Sequence, residues 1–548
     1  MKKFTRMLAV LLALMLLVGC GAKEDDSLVS QVDDEAMENQ FTFATLPTIG
    51  INDWNDEDPT EPAEIEEEKP LLPVDTYTLD STTNVIANAE DPVRYVMIYN
   101  PEVYDPNAVY TTGNTRSTGS LGLQVEVDLN RGTMGEEEVT YKGLSQDDLN
   151  KDVPLDELAG KGGVRAPSLV TPFQVGDVKT FYCYDEKSMD SGRITRDFTC
   201  RYAGEYCNVW VAGMEMTDDM IKEYGAQFDT YIYESVVETF GESRFAKYGG
   251  KVNLLYYPLP EGLLGCFCML DLFAADEATP MEVQTYGLNT GLDILHINGN
   301  YATYPQLQTD MNSTLAHEFQ HLICATNVFQ TLNFTQMDVW LNEAMSGYIE
   351  EQLYPGVKAG EYGHIFALTD SDLVRNGQSL YNFESDYTDC GVYGNVYLYS
   401  EYLAGVAGGD VFSNIHKYWR TSFSPTLSTA EALIKSVPAD VGAAINSSIT
   451  YPAGVTFRTE EEEFMSKLTL QFYLELLDVE ETDPANFASF EHTALLYNQI
   501  SAASIEGGGR IIIALQGDSF TIPKDADSGL IYVGLNEDFQ VVTPLIYR

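Results

Sequence analysis

The run His317-Glu318-Phe319-Gln320-His321 constrains this chain more than any other feature, because its two sides demand different surroundings. Read as a helix at about 100° per residue, Leu315, Phe319, Leu322 and Ile323 fall at about 140° to 240° from His317, whereas His321 falls at about 40°. One side needs apolar cover. The other aims two imidazoles into a cleft. Residues four apart on a helix project together, so both rings can reach one metal ion, with Glu318 beside it to handle the proton of an activated water. Asn312 or Ser313 is the expected N-cap.

Zinc held by two histidines needs a third protein ligand and an open position. A second helix-like stretch follows, Asp338-Val339-Trp340-Leu341-Asn342-Glu343-Ala344-Met345-Ser346-Gly347-Tyr348-Ile349-Glu350. Glu343 lies 22 residues beyond His321 (343 − 321), enough for one helix to end and an antiparallel one to return. A glutamate on a helix is most often simply solvated, and position alone does not overcome that. The surrounding residues do. Trp340-Leu341-Asn342-Glu343 with Tyr348 and Glu350, taken with Thr314-Leu315-Ala316-His317-Glu318-Phe319-Gln320-His321-Leu322, resembles the glutamate-zincin metallopeptidases, and most of all the hyicolysin family of that clan. The resemblance is sharp over about residues 311 to 350 and weaker across 205 to 420.

That resemblance implies an α+β chain with a thermolysin-like zincin catalytic domain and one catalytic Zn2+. His317, His321 and Glu343 would be its ligands and Glu318 the general base, acting on a polypeptide substrate. It also implies an oxyanion donor downstream of the third ligand. Within Cys390-Gly391-Val392-Tyr393-Gly394-Asn395-Val396-Tyr397-Leu398-Tyr399, Tyr393 is favoured for that role, with Tyr397 and His364 behind it. Two departures stand out. Thermolysin-like enzymes place an aspartate four residues after the ligand glutamate to orient a histidine, and here that residue is Gly347, so the orienting group must come from elsewhere. The aminopeptidase branch grips a free amine through a glycine-x-methionine-glutamate-asparagine motif, approximated here only by Gly213-Met214-Glu215-Met216, out of pattern and too early. An endopeptidase is therefore expected over an aminopeptidase. The reading from another class is a non-catalytic adhesin or glycan-binding surface protein on a peptidase scaffold, which would usually have lost a ligand or the base.

The amino terminus suggests where the chain works. Lys2, Lys3 and Arg6 precede an apolar run from Met7 to Leu17 that is too short to span a bilayer. It closes with Leu17-Val18-Gly19-Cys20, which resembles a bacterial lipobox. The implication is a signal peptide over 1–19 and a diacylglyceryl group on Cys20, anchoring the protein to the extracytoplasmic face of a bacterial cell membrane. Residues 20–75 hold dense Asp and Glu runs among prolines and are expected to form a self-repelling tether. With 84 Asp and Glu against 31 Lys and Arg, the formal charge of −53 excludes nucleic acid as a partner.

Alternation and β-formers at 93–99, 121–127 and 179–184 predict a β-rich domain over 76–205, resembling a small sandwich. The catalytic domain is expected over 206–480, with strands at 209–212, 252–257 and 293–297 and a helix over 218–240. Residues 293–298 are the expected edge strand, His296 being structural. Thr459 and Glu462 form a capping box for a helix burying Phe464, Leu468, Phe472 and Leu476. Strands at 510–515 and 530–533 predict a β-rich appendage over 481–548. Seven cysteines besides Cys20 make an odd number, so no complete disulfide framework is expected, and Cys183, Cys200 and Cys207 offer at most one bridge.

Overall fold

A computed structural model describes residues 74–103, 110–111, 172–243, 250–260, 263–272, 292–329, 337–355, 357, 377, 379–381, 391–422, 428–452, 455–475, 495–496 and 504–548. Cys20, the tether up to residue 73, the expected strand at 121–127, His364, Cys390 and Leu476 lie outside them. The described chain is mixed α/β, with two six-stranded sheets and helices.

The amino-terminal strands are β1 (Leu79–Asp80), β2 (Val85–Ala87), β3 (Tyr95–Tyr99) and β4 (Tyr110–Thr111). Next come β5 (Val178–Asp185), β6 (Ser188–Ala203), β7 (Cys207–Val211), β8 (Val252–Tyr257), β9 (Gly265–Phe267) and β10 (Ile294–Asn298), which build one sheet in the order β5-β6-β7-β8-β10-β9. The strands β7, β8 and β10 run parallel and are buried at every residue, which is why they are mostly apolar and do not alternate, with Asn208, Asn253, His296 and Asn298 as buried polar exceptions. The expected edge at 293–298 is corrected by this order. Strand β10 is laddered on both sides, parallel to β8 and antiparallel to β9, and β9 is the edge among the described strands. Three residues are too few to show alternation, so β9 left no periodic trace in the sequence.

The helix expected over 218–240 is present as α1 (Asp218–Gln227), a π turn (Phe228–Ile232) and α2 (Tyr233–Phe240), capped by the Thr217 hydroxyl. The π turn brings the buried Asp229 inward. Its carboxylate accepts from the backbone N–H groups of Glu205, Tyr206 and Cys207 at 2.8–2.9 Å and from the Tyr202 hydroxyl at 2.9 Å, closing the β6–β7 turn.

The carboxy-terminal strands are β11 (Leu495–Leu496), β12 (Ser504–Ile505), β13 (Arg510–Ala514), β14 (Ser519–Thr521), β15 (Ile531–Leu535) and β16 (Leu545–Tyr547). The second sheet has the order β1-β16-β15-β3-β13-β11, with β3 held by five-residue ladders to both β13 and β15. Strands from the two ends of the chain thus share one sheet, and β5, β6 and β7 extend the other. The pairing runs across the expected divisions at 205 and 480, because alternation marks a strand without naming its partner. Alternation does show in the faces. Met97, Tyr99, Ile512 and Val533 join the main core, while Val96, Ile98, Ile511 and Ile513 form a second core with Ile86 and Phe520 of the β2–β14 pair.

Beyond the site described below, the described helices Asp410–Thr421, Thr429–Ser436, Ala439–Ser448 and Glu460–Glu475 add buried residues to the main core. The capping box of the last is displaced: Thr459 Oγ1 accepts from Glu462 N–H at 3.2 Å, but the Glu462 carboxylate reaches the N–H of Arg458 at 2.7 Å. Phe464, Leu468 and Phe472 are buried as expected. The described cysteines 183, 200, 207, 266, 268 and 324 are all buried. No described helix is long and apolar enough to cross a membrane.

Candidate metal centre

Two further elements build the site. After a short helical turn, α3 (Gly299–Ala302), and a 3-10 turn at Pro305–Leu307, helix α4 runs from Gln308 to Phe329, and α5 spans Val339–Leu353. Asn312 and Ser313 therefore lie inside α4 and do not cap it, since the 3-10 turn feeds the chain straight into the helix. The apolar stripe is as expected: Leu315, Phe319, Leu322 and Ile323 have no exposed surface. Phe319 stacks on Tyr233 at 5.4 Å and tilts against Phe228 at 5.1 Å, so the π turn and α2 pack beneath the helix. On another side β9 comes very close. A Cβ on Gly265 would lie 2.8 Å from Thr314 Cγ2, so glycine is what allows the approach.

His317, His321 and Glu343 converge. The two Nε2 atoms are 2.9 Å apart, and Glu343 Oε2 is 3.4 Å from that of His317 and 3.5 Å from that of His321. A tetrahedral ion with ligands at about 2.0–2.1 Å requires ligand atoms about 3.3–3.4 Å apart. Two separations match and the third is slightly short, so the trio fits one zinc ion, which would give three converging lone pairs a common partner. Burial pushes the Glu343 carboxyl up, but the facing imidazoles of His321 and His317 outweigh it and hold the group well below the usual carboxylate range. It stays an anion.

Glu318 differs. Burial raises its pKa, with Glu343 adding to the rise and the two histidines opposing it. Its carboxylate accepts a hydrogen bond from the Phe267 backbone at the edge of β9.

Both imidazoles are oriented from behind. Glu350 Oε1 lies 2.8 Å from His317 Nδ1, and Ser346 Oγ lies 3.2 Å from His321 Nδ1 and 2.5 Å from Gln320 Oε1. The acceptor-only Glu350 carboxylate favours the proton on His317 Nδ1 and leaves that ring's Nε2 lone pair for a metal, whereas Ser346 Oγ, also 3.5 Å from His321 Nε2, touches its ring without choosing a tautomer. Glu350 is thus the group that Gly347 does not supply. Gly347 instead lies against the next helix, α6 (Gly391–Ala407), where a Cβ would sit 3.4 Å from that of Tyr397. Sequence reasoning missed Glu350 and Ser346 in these roles. The signal for Glu350 was its spacing of seven residues from Glu343, two turns along the same face. Glu350→Gln is expected to weaken zinc binding by about 10- to 100-fold, read by competition with a chromogenic chelator. Unchanged affinity would separate Glu350 from the centre.

Tyr393 lies in the first turn of α6, with its side chain outside the described set. Tyr397 is buried in the contact with Gly347. His296 is fully buried on β10 and belongs to a different cluster.

No protein-family model matches the chain. Over 293 residues it is 26% identical to the neutral metalloprotease ShpI of Staphylococcus hyicus, an alignment taking in 52% of this chain and 62% of that protein. The chain therefore spans about three-fifths of the relative it matches. The solved M60 catalytic domain of Clostridium perfringens ZmpC, in complex with the sialyl T antigen, aligns with 87% of this chain and 96% of its own at 10% identity and a TM-score of 0.25. So low a score carries no argument about fold. The chain is thus similar to a metalloprotease and carries a His–His–Glu cluster able to hold a metal, His321 and Glu343 buried and His317 partly so.

Proposed function

We propose that this chain is a zinc endopeptidase of the glutamate-zincin type. Its ligands are His317, His321 and Glu343, its base is Glu318, and Cys20 carries a lipid anchor at the extracytoplasmic membrane face. The observation that carries the enzymatic reading is the convergence of three ligand atoms at tetrahedral spacing, with Glu318 next in the chain. The similarity to a metalloprotease supports it and favours a peptide substrate.

When bound, zinc supplies Lewis acidity, which acidifies water and polarises a peptide carbonyl. Glu318 takes the proton from the attacking water on its carboxylate and delivers it to the departing amine nitrogen. Glu350 holds the His317 imidazole with its proton on Nδ1, and Ser346 packs against the His321 ring. Tyr393 is the proposed donor to the developing oxyanion. Strand β9, terminal in its sheet among the described residues, offers an edge on which substrate backbone can lie as an added strand beside Glu318.

The test is cleavage of a peptide library by the zinc-loaded chain. Internal cuts that a chelator abolishes and added zinc restores are expected. Release of amino-terminal residues alone would favour an aminopeptidase, and stoichiometric zinc with no cleavage of peptides or proteins would contradict the reading.

A further inference from the structure

Strand β9 is lightly held for an element so close to Glu318. It has three residues and a ladder to β10 alone among the described strands, yet its Phe267 backbone bonds the Glu318 carboxylate. What fixes it lies just beyond. The 3-10 turn at Met269–Leu272 carries Asp271, which is wholly buried. One carboxylate oxygen is 2.7 Å from Nη2 of Arg193 on β6, and the other is 2.8 Å from Nε2 of His296 on β10. His296 Nδ1 is 3.0 Å from the hydroxyl of Tyr257 on β8, and that oxygen accepts from the Tyr184 N–H of β5 at 3.2 Å. With Nε2–H donating to Asp271 and the Tyr257 hydroxyl donating to Nδ1, every link has a donor and an acceptor. Arg193 also donates to the Tyr182 carbonyl at 2.9 Å. The turn's backbone is tied as well, Asp271 N–H to the Cys268 carbonyl at 3.0 Å and Leu292 N–H to the Asp271 carbonyl at 2.9 Å.

One carboxylate therefore fastens the segment after β9 to the strands across the sheet. A buried ion pair seldom stabilises more than apolar side chains of the same volume, but its directional bonds fix geometry in a way that interchangeable methyl groups do not. His296 stands opposite Cys266 in the β9–β10 register, so the cluster acts on the rung next to Phe267.

We propose that Asp271 is a positioning residue. Through Arg193 and His296 it sets the place of β9, and so of the Phe267 N–H that orients Glu318. This rests on the proposed function above and deepens it.

The experiment compares the zinc-loaded full chain with Asp271→Asn, with Tyr257→Phe as a milder break in the same cluster, and with Asn100→Ala as a control. Asn100 is buried just past the end of β3, where its side chain donates to the Ile505 carbonyl of β12 at 2.9 Å. With zinc content unchanged, Asp271→Asn is expected to lower kcat by about tenfold or more while KM stays nearly constant. Tyr257→Phe should move the same way by less, and serves alone if the first variant does not fold. Asn100→Ala should lower Tm and leave kcat intact. A kcat held at the wild-type level in both cluster variants, or a loss confined to KM, would overturn the proposal. If the wild-type chain binds zinc and cleaves nothing, the proposed function fails and this inference with it. If the wild type cleaves and the cluster variants match it, only this inference fails.

Discussion

Glu318→Gln is expected to remove peptide cleavage while zinc stays bound. The amide keeps the shape of the side chain, and its oxygen can still accept from the Phe267 backbone, but it cannot take a proton from water. General acid–base groups contribute about 10²- to 10⁴-fold, so kcat should fall by that order. Glu318 is not among the three converging ligand atoms, so metal content should be unaffected. Zinc quantification beside steady-state kinetics checks both halves. Retained cleavage would assign the proton to another group, and lost zinc would mean that Glu318 holds the metal.

The second large effect concerns stability. Replacing Asp271 by Asn leaves the Arg193 guanidinium, 6% exposed, facing a neutral partner. Breaking a buried pair from one side costs about 3–5 kcal/mol, which denaturant titration near neutral pH would show as a lowered midpoint. The effect is tied to pH. Burial raises the Asp271 pKa, but Arg193 and His296 outweigh it and the net shift is downward. A depressed carboxylate contributes stability above its unfolded pKa of about 3.9 and loses it as pH falls through the folded value. Burial depresses His296, against the opposing pull of Asp271. The unfolded chain therefore binds that proton first, and stability drops as pH falls below about 6.5. Both groups make the protein more stable as pH rises, His296 in the window just below 6.5 and Asp271 below 3.9. In Asp271→Asn the lower step should shrink by the Asp271 share, the rest belonging to Glu343 and the other depressed carboxylates. Parallel wild-type and variant curves below pH 4 would show that Asp271 is not among the groups that titrate.

The site was more legible in the sequence than the fold was. His317, His321 and the stripe of Leu315, Phe319, Leu322 and Ile323 are written at helical spacing, a local signal that no distant contact can alter. Glu343 required only that a second helix return. Glu350 was visible as part of a motif, but its contact with His317 depends on how α5 is rotated against α4, which spacing along one helix does not encode. Ser346 looked like any small helical residue. Arg193 and Asp271 were harder still. Each is a single charged residue in an unremarkable stretch, and they meet only because β6, β9 and β10 share a sheet. The same limit hid the pairing of β3 with β13 and β15, more than 400 residues downstream (510 − 99 = 411 at the closest rung). The N-cap at Asn312 or Ser313 failed for a different reason, since cap preferences are outweighed where a 3-10 turn already delivers the chain in helical conformation.

The central claim is that one zinc ion sits among His317, His321 and Glu343. Anomalous diffraction at the zinc edge, from crystals of the zinc-loaded chain, tests it most directly. The account predicts one strong peak about 2.0–2.2 Å from His317 Nε2, His321 Nε2 and a Glu343 carboxylate oxygen. A peak at another set of residues, or none in well-ordered crystals of the folded chain, would contradict it.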